Sequence, residues 1–358
     1  MAGKCTNYFL GGNTSQGFFS HFNYIISQKD ASRIITLKGG PGTGKSSLMK
    51  KIGRYYLDLG YDVEFHHCSS DDNSLDGILI KEKRVALLDG TAPHMIDPVN
   101  PGAVDELINM ALCLNDEKIR PFKNEILSIN KKISSAFSRG YSYFKAARAL
   151  YDDWSILNSQ AADSFEINKV KNRLQQELLP SCISTPGSKR HLFATGFTPN
   201  GIVTYITNII ESFDKIYVLK GAPGTGKSDI LRHISDEAVQ CGFDVVELHT
   251  PLIPENIEHL IIPAANAAIV TCNEITHVNF EGTIIDLNQL LNQNVISDNS
   301  DKIEESSELF YDLLEKGLTS IKDAKELHDK LESYYIPNMD FNVADNIYNE
   351  LILKINRL

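Results

Sequence analysis

"LKGGPGTGKSS", residues 37–47, is followed by "LKGAPGTGKSD", residues 219–229, at an offset of 182 (219 against 37). Each copy follows a short apolar run of β type, Ile34–Leu37 and Ile216–Leu219. Each is followed by apolar residues at helical spacing: Leu48, Met49, Ile52 and Tyr56 in the first copy, Ile230, Leu231 and Ile234 in the second. A glycine, Gly60 or Gly242, closes the helical pattern. Two further apolar runs follow in each copy, Val63–Phe65 and Val85–Leu88, then Val245–Leu248 and Ala267–Val270. Strands alternating with helices predict an α/β fold, a parallel sheet with helices on both faces.

The same offset lays much of one half on the other. "RIITLKGGPGTGKSSLMKKI" matches "KIYVLKGAPGTGKSDILRHI", and "LGYDVEFHHCS" matches "CGFDVVELHTP". With a slip of two, "YFLGGNTSQGF" matches "HLFATGFTPNG"; the tails match as "AARALYDDWSILNSQAADSFEINKV" against "DAKELHDKLESYYIPNMDFNVADNI". A repeat this long is one domain built twice. The Ser-, Pro- and Gly-rich "SCISTPGSKR", 181–190, marks the boundary. The expected domains are 1–185 and 186–358. Each ends in a helical appendage with few strand signals, about 115–180 and about 300–358, read as long helices in a hairpin.

Both loops have the spacing Gly-x4-Gly-Lys-Ser, Gly39 to Ser46 and Gly221 to Ser228. Glycines let a backbone wrap a phosphate so that its N–H groups point inward, and the following helix adds its positive end. The nucleotide-binding residues are therefore Gly39, Gly40, Pro41, Gly42, Thr43, Gly44, Lys45, Ser46 and Ser47. Their counterparts are Gly221, Ala222, Pro223, Gly224, Thr225, Gly226, Lys227, Ser228 and Asp229. Lys45 and Lys227 would reach the outer phosphates, and the hydroxyls of Ser46 and Ser228 would each take one Mg2+ position. These residues resemble a P-loop NTPase. The form "GxPGTGKS" is similar to loops of ATPases of the AAA+ and helicase-related kinds. "GGNTSQGF", "DGTAPHMIDPVNPGAVDELIN" and the tandem layout resemble a family of bacterial proteins with two P-loop domains. That resemblance spans essentially the whole chain and implies two tandem P-loop NTPase domains that bind nucleoside triphosphate.

The copies differ beyond the loop. "VALLDG" ends an apolar run on Asp89, the place of the aspartate that holds the Mg2+ shell in P-loop enzymes. In "AAIVTCNE", Thr271 stands there, with Glu274 three residues on as a substitute. Lys45 and Asp89 are thus the catalytic candidates, and Ser46, Asp89 and Ser228 the metal candidates. The expected activity is hydrolysis of Mg-ATP mainly in the first domain, the second binding nucleotide in a weaker or regulatory role. A nucleotide or small-molecule kinase and a non-hydrolysing nucleotide sensor are the alternatives. ATP is preferred to GTP because no NKxD-type guanine-reading motif is present. Arg33, Arg84, Arg120, Arg148, Arg190 and Arg232 are all available as an arginine finger, and the sequence does not rank them. His67 and His249, and His94 and His277, recur beside the second and third runs and read better as structural than as catalytic. "LHDKLE", with His328, Asp329 and Glu332, has "LYDDWS" as its counterpart and reads as helix packing and a solvated face. "HHC" at 66–68, followed by Asp71 and Asp72, is a weak metal candidate.

Charge sharpens the contrast between halves. Residues 1–187 carry 22 Lys/Arg and 20 Asp/Glu; residues 188–358 carry 13 and 26, and the whole chain is at −11. That balance argues against broad nucleic-acid binding. A basic segment, 118–149, interleaves Lys118, Arg120, Lys123, Lys131, Lys132, Arg139, Lys145 and Arg148 with aromatic residues. Its counterpart is acidic, with Glu304, Glu305, Glu308, Asp312 and Glu315, so pairing of the two, within the chain or between copies, is preferred to nucleic acid as its partner. Six scattered cysteines predict free thiols. No apolar run approaches the ~20 residues that span a bilayer, and the start of the chain lacks a signal pattern, so no membrane partner and a cytoplasmic location are expected.

Overall fold

A computed structural model describes residues 2–91, 96–182 and 185–358. The first half runs β1 (Cys5–Phe9), β2 (Gly11–Thr14), β3 (Gly17–Ser20), β4 (Arg33–Lys38), α1 (Lys45–Asp58), β5 (Val63–Cys68), β6 (Asp71–Ile80), β7 (Val85–Asp89) and β8 (Asp105–Asn109). It continues as α2 (Asp116–Ile119), α3 (Lys123–Ser159) and α4 (Ser164–Leu178). The second half repeats the order. Its strands and early helices are β9 (Lys189–Leu192), β10 (Thr195–Thr198), β11 (Gly201–Thr204), α5 (Ile206–Ile210), β12 (Lys215–Lys220) and α6 (Lys227–Gln240). β13 (Val245–His249), β14 (Ile257–Ile262), β15 (Ala267–Cys272) and β16 (Thr283–Asp286) follow, then α7 (Gln293–Asp298), α8 (Ser300–Tyr335) and α9 (Phe341–Asn356).

Each half contributes a six-stranded sheet, in the orders β1-β5-β6-β7-β4-β8 and β9-β13-β14-β15-β12-β16. The sheets are mixed, not parallel as the sequence suggested. β6 and β14 run antiparallel to both neighbours and separate the second predicted strand from the third. The expectation of helices on both faces is corrected too: α1 and α6 each cover one face, and the other face is covered mainly by the opposite sheet, with only the short α5 beside it. Along β7, Val85 and Leu87 face α1, while Ala86 and Leu88 face the other way; along β15, Ala267 and Ile269 face α6, while Ala268 and Val270 do not. The faces turned away from α1 and α6 meet: Ile34, Ala86 and Leu88 share one core with Val218, Ala268 and Val270, and the short α5 adds Ile206, Ile209 and Ile210 at its side. The layers are therefore helix, sheet, sheet, helix. These strands are apolar on both faces because each is buried twice, which is why period-2 alternation is absent from their sequence.

The appendages cross over. Ile167, Leu174 and Leu178 of α4, a first-half helix, pack on α6 of the second half. Leu351 and Ile355 of α9 pack on α1 of the first half. α3 spans about 55 Å at 1.5 Å per residue, enough to reach the opposite sheet. It does not fold back on α4 as a hairpin; it lies along α8, with Phe144, Ala147, Phe310, Leu314 and Ile321 in the seam. Basic and acidic segments thus meet as expected, but through apolar side chains: Lys131, Lys132, Arg139 and Lys145 remain exposed. Arg190 of β9 clamps the halves. Its guanidinium donates twice to Glu64, at 3.0 and 2.7 Å, and to the carbonyls of Tyr24 and Ile25. Burial would raise Glu64, but Arg190 and His66 outweigh it and hold the carboxyl well below its usual range. The expectation of six free thiols is corrected: Cys182 and Cys241 form a disulfide between the segment after α4 and the end of α6, and the other four are free. Among the described residues no helix is long and apolar enough to cross a membrane.

Candidate functional site

Both glycine loops sit between the expected strand and helix. Gly44 and Gly226 cap α1 and α6 at φ of 78° and 92°, a left-handed region that a side chain disfavours. Lys45 and Lys227 open the helices and are buried. The Lys45 ammonium donates to the carbonyls of Gly39 and Gly40, at 3.0 and 2.9 Å. Lys227 does the same to Gly221 and to Ala222, the latter at 2.9 Å. The hydroxyls of Thr43 and Thr225 donate to the carbonyls of Gly40 and Ala222, both at 2.8 Å, closing each loop on itself.

Asp89 ends β7 beside the loop strand, in register with Leu37, and its Oδ2 lies 3.6 Å from the Lys45 ammonium. Thr271 holds the matching register opposite Leu219. Yet the second lysine has a carboxylate: Glu274 Oε2 is 3.7 Å from Lys227. The acid has moved three residues along the chain and still meets the same cation. Ser46 Oγ accepts from the N–H of Leu75 at 3.0 Å, and Ser228 Oγ donates to the carbonyl of Ile257 at 3.2 Å, so β6 and β14 anchor the two hydroxyls. Next along these strands stand two buried acids missed from the sequence, Asp76 and Glu258. Burial pushes Glu258 up to about 7, against hydrogen bonds from Asn273 and Thr195, and the nearby carboxylate of Glu274 adds to the rise. Asp229 faces elsewhere, paired with Lys171 of α4. Ser47 lies with Lys50, Lys51 and Arg54 in a surface cleft along α1.

Each loop is roofed by the opposite half. The turn from α8 to α9 covers the first: Glu332 Oε1 accepts from the N–H of Gly42 at 3.2 Å, Tyr335 and Ile336 lie against Gly40 and Gly42, and Met339 lies against Gly44. The turn from α3 to α4 covers the second: Asn158 donates to the carbonyl of Pro223 at 2.8 Å, and an added Cβ at Gly224 would come within 2.0 Å of the Ser155 carbonyl. Glu332 thus corrects the reading of "LHDKLE" as only helix packing and a solvated face. His328, Asp329 and Glu332 do bring ligand atoms together, but Asp329 pairs with Lys325 and Glu332 with the loop. The signal was the repeat itself, since Ser155 and Glu332 occupy matching places in the aligned tails.

Several of the remaining candidates make their contacts outside the glycine loops. His67 bonds the Asp72 carbonyl and Asn7, both at 2.9 Å, and His277 stacks on Tyr311. His94 lies outside the described residues. His66 is buried beside Glu64, so "HHC" converges on no ligand set. Arg33, Arg148, Arg190 and Arg232 bond Gly102, Glu255, Glu64 and Asn256, none of them part of a glycine loop. Comparison with protein-family models, with curated proteins and with solved structures finds no match to this chain in any of the three.

Proposed function

We propose that this chain is a P-loop nucleoside triphosphatase with two nucleotide sites, each built on the glycine loop of one half and covered by the helical turn of the other. The observation that carries the reading is the bond from the Gly42 N–H to Glu332: a backbone donor of the loop already holds an anionic oxygen, beside a buried lysine. A loop N–H already on a carboxylate, a left-handed glycine cap, a helix start and a lysine together suit a polyphosphate. Ser46 and Asp89 would offer an Mg2+ ion a hydroxyl and a carboxylate. The metal would neutralise charge on the phosphate oxygens. Lys45 now bonds loop carbonyls, and in the proposed site it would turn to the phosphates. Asp89, tied to the Thr91 N–H at 2.8 Å, is held at the edge of the site. The first site is the main hydrolytic one, because its carboxylate ends the strand directly. The second keeps a lysine–carboxylate pair through Glu274 and serves a binding or regulatory role.

The test compares ATP binding and phosphate release by the wild type, Lys45→Ala and Lys227→Ala. Lys45→Ala is expected to lower release at least 100-fold, the loss typical of one transition-state contact; Lys227→Ala is expected to change it less than tenfold. The reverse order would overturn the assignment of sites. Binding of no nucleotide by the wild type would overturn the reading itself.

A further inference from the structure

The edge of the second sheet, three strands from the one that leads into the second loop, gathers three histidines and a glutamate. His191 lies on β9, Glu247 and His249 on β13, and His21 follows β3 of the first half. We propose that His191, Glu247 and His249, with His21 beside them, form a transition-metal site suited to Zn2+ that joins the two halves.

The geometry is that of a ligand set. His191 Nδ1 lies 2.9 Å from His249 Nε2 and 3.1 Å from Glu247 Oε2, and the last two atoms are 3.8 Å apart. Ligand atoms about 2.0–2.1 Å from a tetrahedral ion stand roughly 3.3 Å from each other, the middle of that range. The His21 ring sits 4.8 Å from that of His249, and its buried Nε2 has no hydrogen-bond partner. The second shell is also in place. Lys189 and Ser235 hold Oε1 of Glu247, which leaves Oε2 facing the histidines. Asp236 pairs with Lys189 at 2.6 Å, so the surroundings are net negative despite that lysine. Imidazole with carboxylate selects zinc-like ions over Mg2+ or Ca2+.

The repeat supplies a control inside the same molecule. The registers β1–β5 and β9–β13 set Asn7 and Phe65 where the second half has His191 and Glu247. His67 stands for His249, and Tyr205 covers it with ring centroids 4.5 Å apart, as His21 covers His249. His67 bonds Asn7 at 2.9 Å, the contact that His249 makes with His191. One backbone arrangement therefore carries Asn, Phe, His and Tyr in the first half and His, Glu, His and His in the second. The packing needs only the first set, and the three exchanges all install ligand types.

The experiment titrates the chelator-stripped full chain with Co2+, followed by visible absorption, and then displaces it with Zn2+. One Co2+ per chain with the intense visible bands of tetrahedral coordination is expected. His191→Asn, which installs the residue of the first half, and Glu247→Gln, which keeps the hydrogen bonds, should each weaken binding at least 100-fold. Circular dichroism and thermal melting confirm that these variants fold. His67→Asn should leave the titration unchanged. A wild type that shows no visible bands with Co2+, or variants that bind like the wild type, would overturn the site, as would loss of binding in His67→Asn.

Discussion

At the scale of the residue, the positions of the loop lysines at the start of a helix and of Asp89 at the end of a strand were legible, because a strand, a loop of fixed length and a helix set them locally. Glu332 was not legible in that way. It reaches the first loop from 290 residues away in the chain, and nothing local in "LHDKLE" says that its carboxylate will meet a backbone N–H. Glu274 was legible only as a candidate, since whether a side chain three residues on can swing back to Lys227 depends on the turn after β15. Glu332 now sits where the proposed phosphates would bind, so the two anions compete for one donor. Glu332→Ala should therefore raise nucleotide affinity at the first loop. The carboxylate is about a third exposed, which weakens its bond, so about 1 kcal/mol or roughly fivefold is expected. Titration with a fluorescent ATP analogue in a Lys227→Ala background isolates the first site. A fall in affinity would make Glu332 a contact for the nucleotide rather than its competitor.

At the scale of the element, the strands that were legible are the apolar ones, β4, β5 and β7 with β12, β13 and β15. β6 escaped because Asp71, Asp72 and Asp76 break its pattern, and β14 because Glu258 and His259 lie in its middle although both are buried. Buried polar residues look like loop residues to a reading based on hydropathy. The long helices were legible as helical stretches but not in partner, and the short α5 and α7 were not seen, since apolar periodicity marks a face and not what covers it. The α3–α8 seam depends on two glycines at its crossing. An added Cβ at Gly317 would fall 2.3 Å from the ring of Phe144, and one at Gly140 would fall 3.0 Å from Ile321. Phe144 is fully buried and cannot swing aside. Gly317→Ala should consequently destabilise the protein by about 1–3 kcal/mol despite the better helix propensity of alanine. Urea unfolding measures this, and a variant as stable as the wild type would show that the seam adjusts. Because both roofing turns hang from these two helices, the same change should also alter nucleotide affinity at both loops.

At the scale of the whole molecule, the duplication was legible and its use was not. A repeat read along the chain suggests two units side by side, each closed by its own appendage. The folded chain exchanges the appendages: α4 covers the second sheet and α9 the first, while the remaining sheet faces cover each other. No local signal distinguishes a helix that returns to its own sheet from one that crosses, because both need the same apolar face. The exchange makes each half incomplete. Residues 1–181 alone would lack Leu351 and Ile355 over α1, the roof of Glu332 and Tyr335 over the first loop, and the whole facing sheet. Residues 185–358 alone would lack the corresponding cover from Ile167, Leu174 and Leu178. A half expressed by itself should therefore expose large apolar surfaces and aggregate or self-associate. The two halves expressed together from separate messages should instead form a soluble one-to-one complex, since every missing contact lies on the partner and loss of the single connection costs mainly effective concentration. Size-exclusion chromatography with light scattering distinguishes these outcomes. The complex should bind nucleotide at both loops, within about tenfold of the intact chain. A first half that is monomeric, cooperatively folded and nucleotide-binding on its own would show that the crossed helices are an ornament of the fold rather than a condition of it, and Glu332 would then have no part in closing the first site.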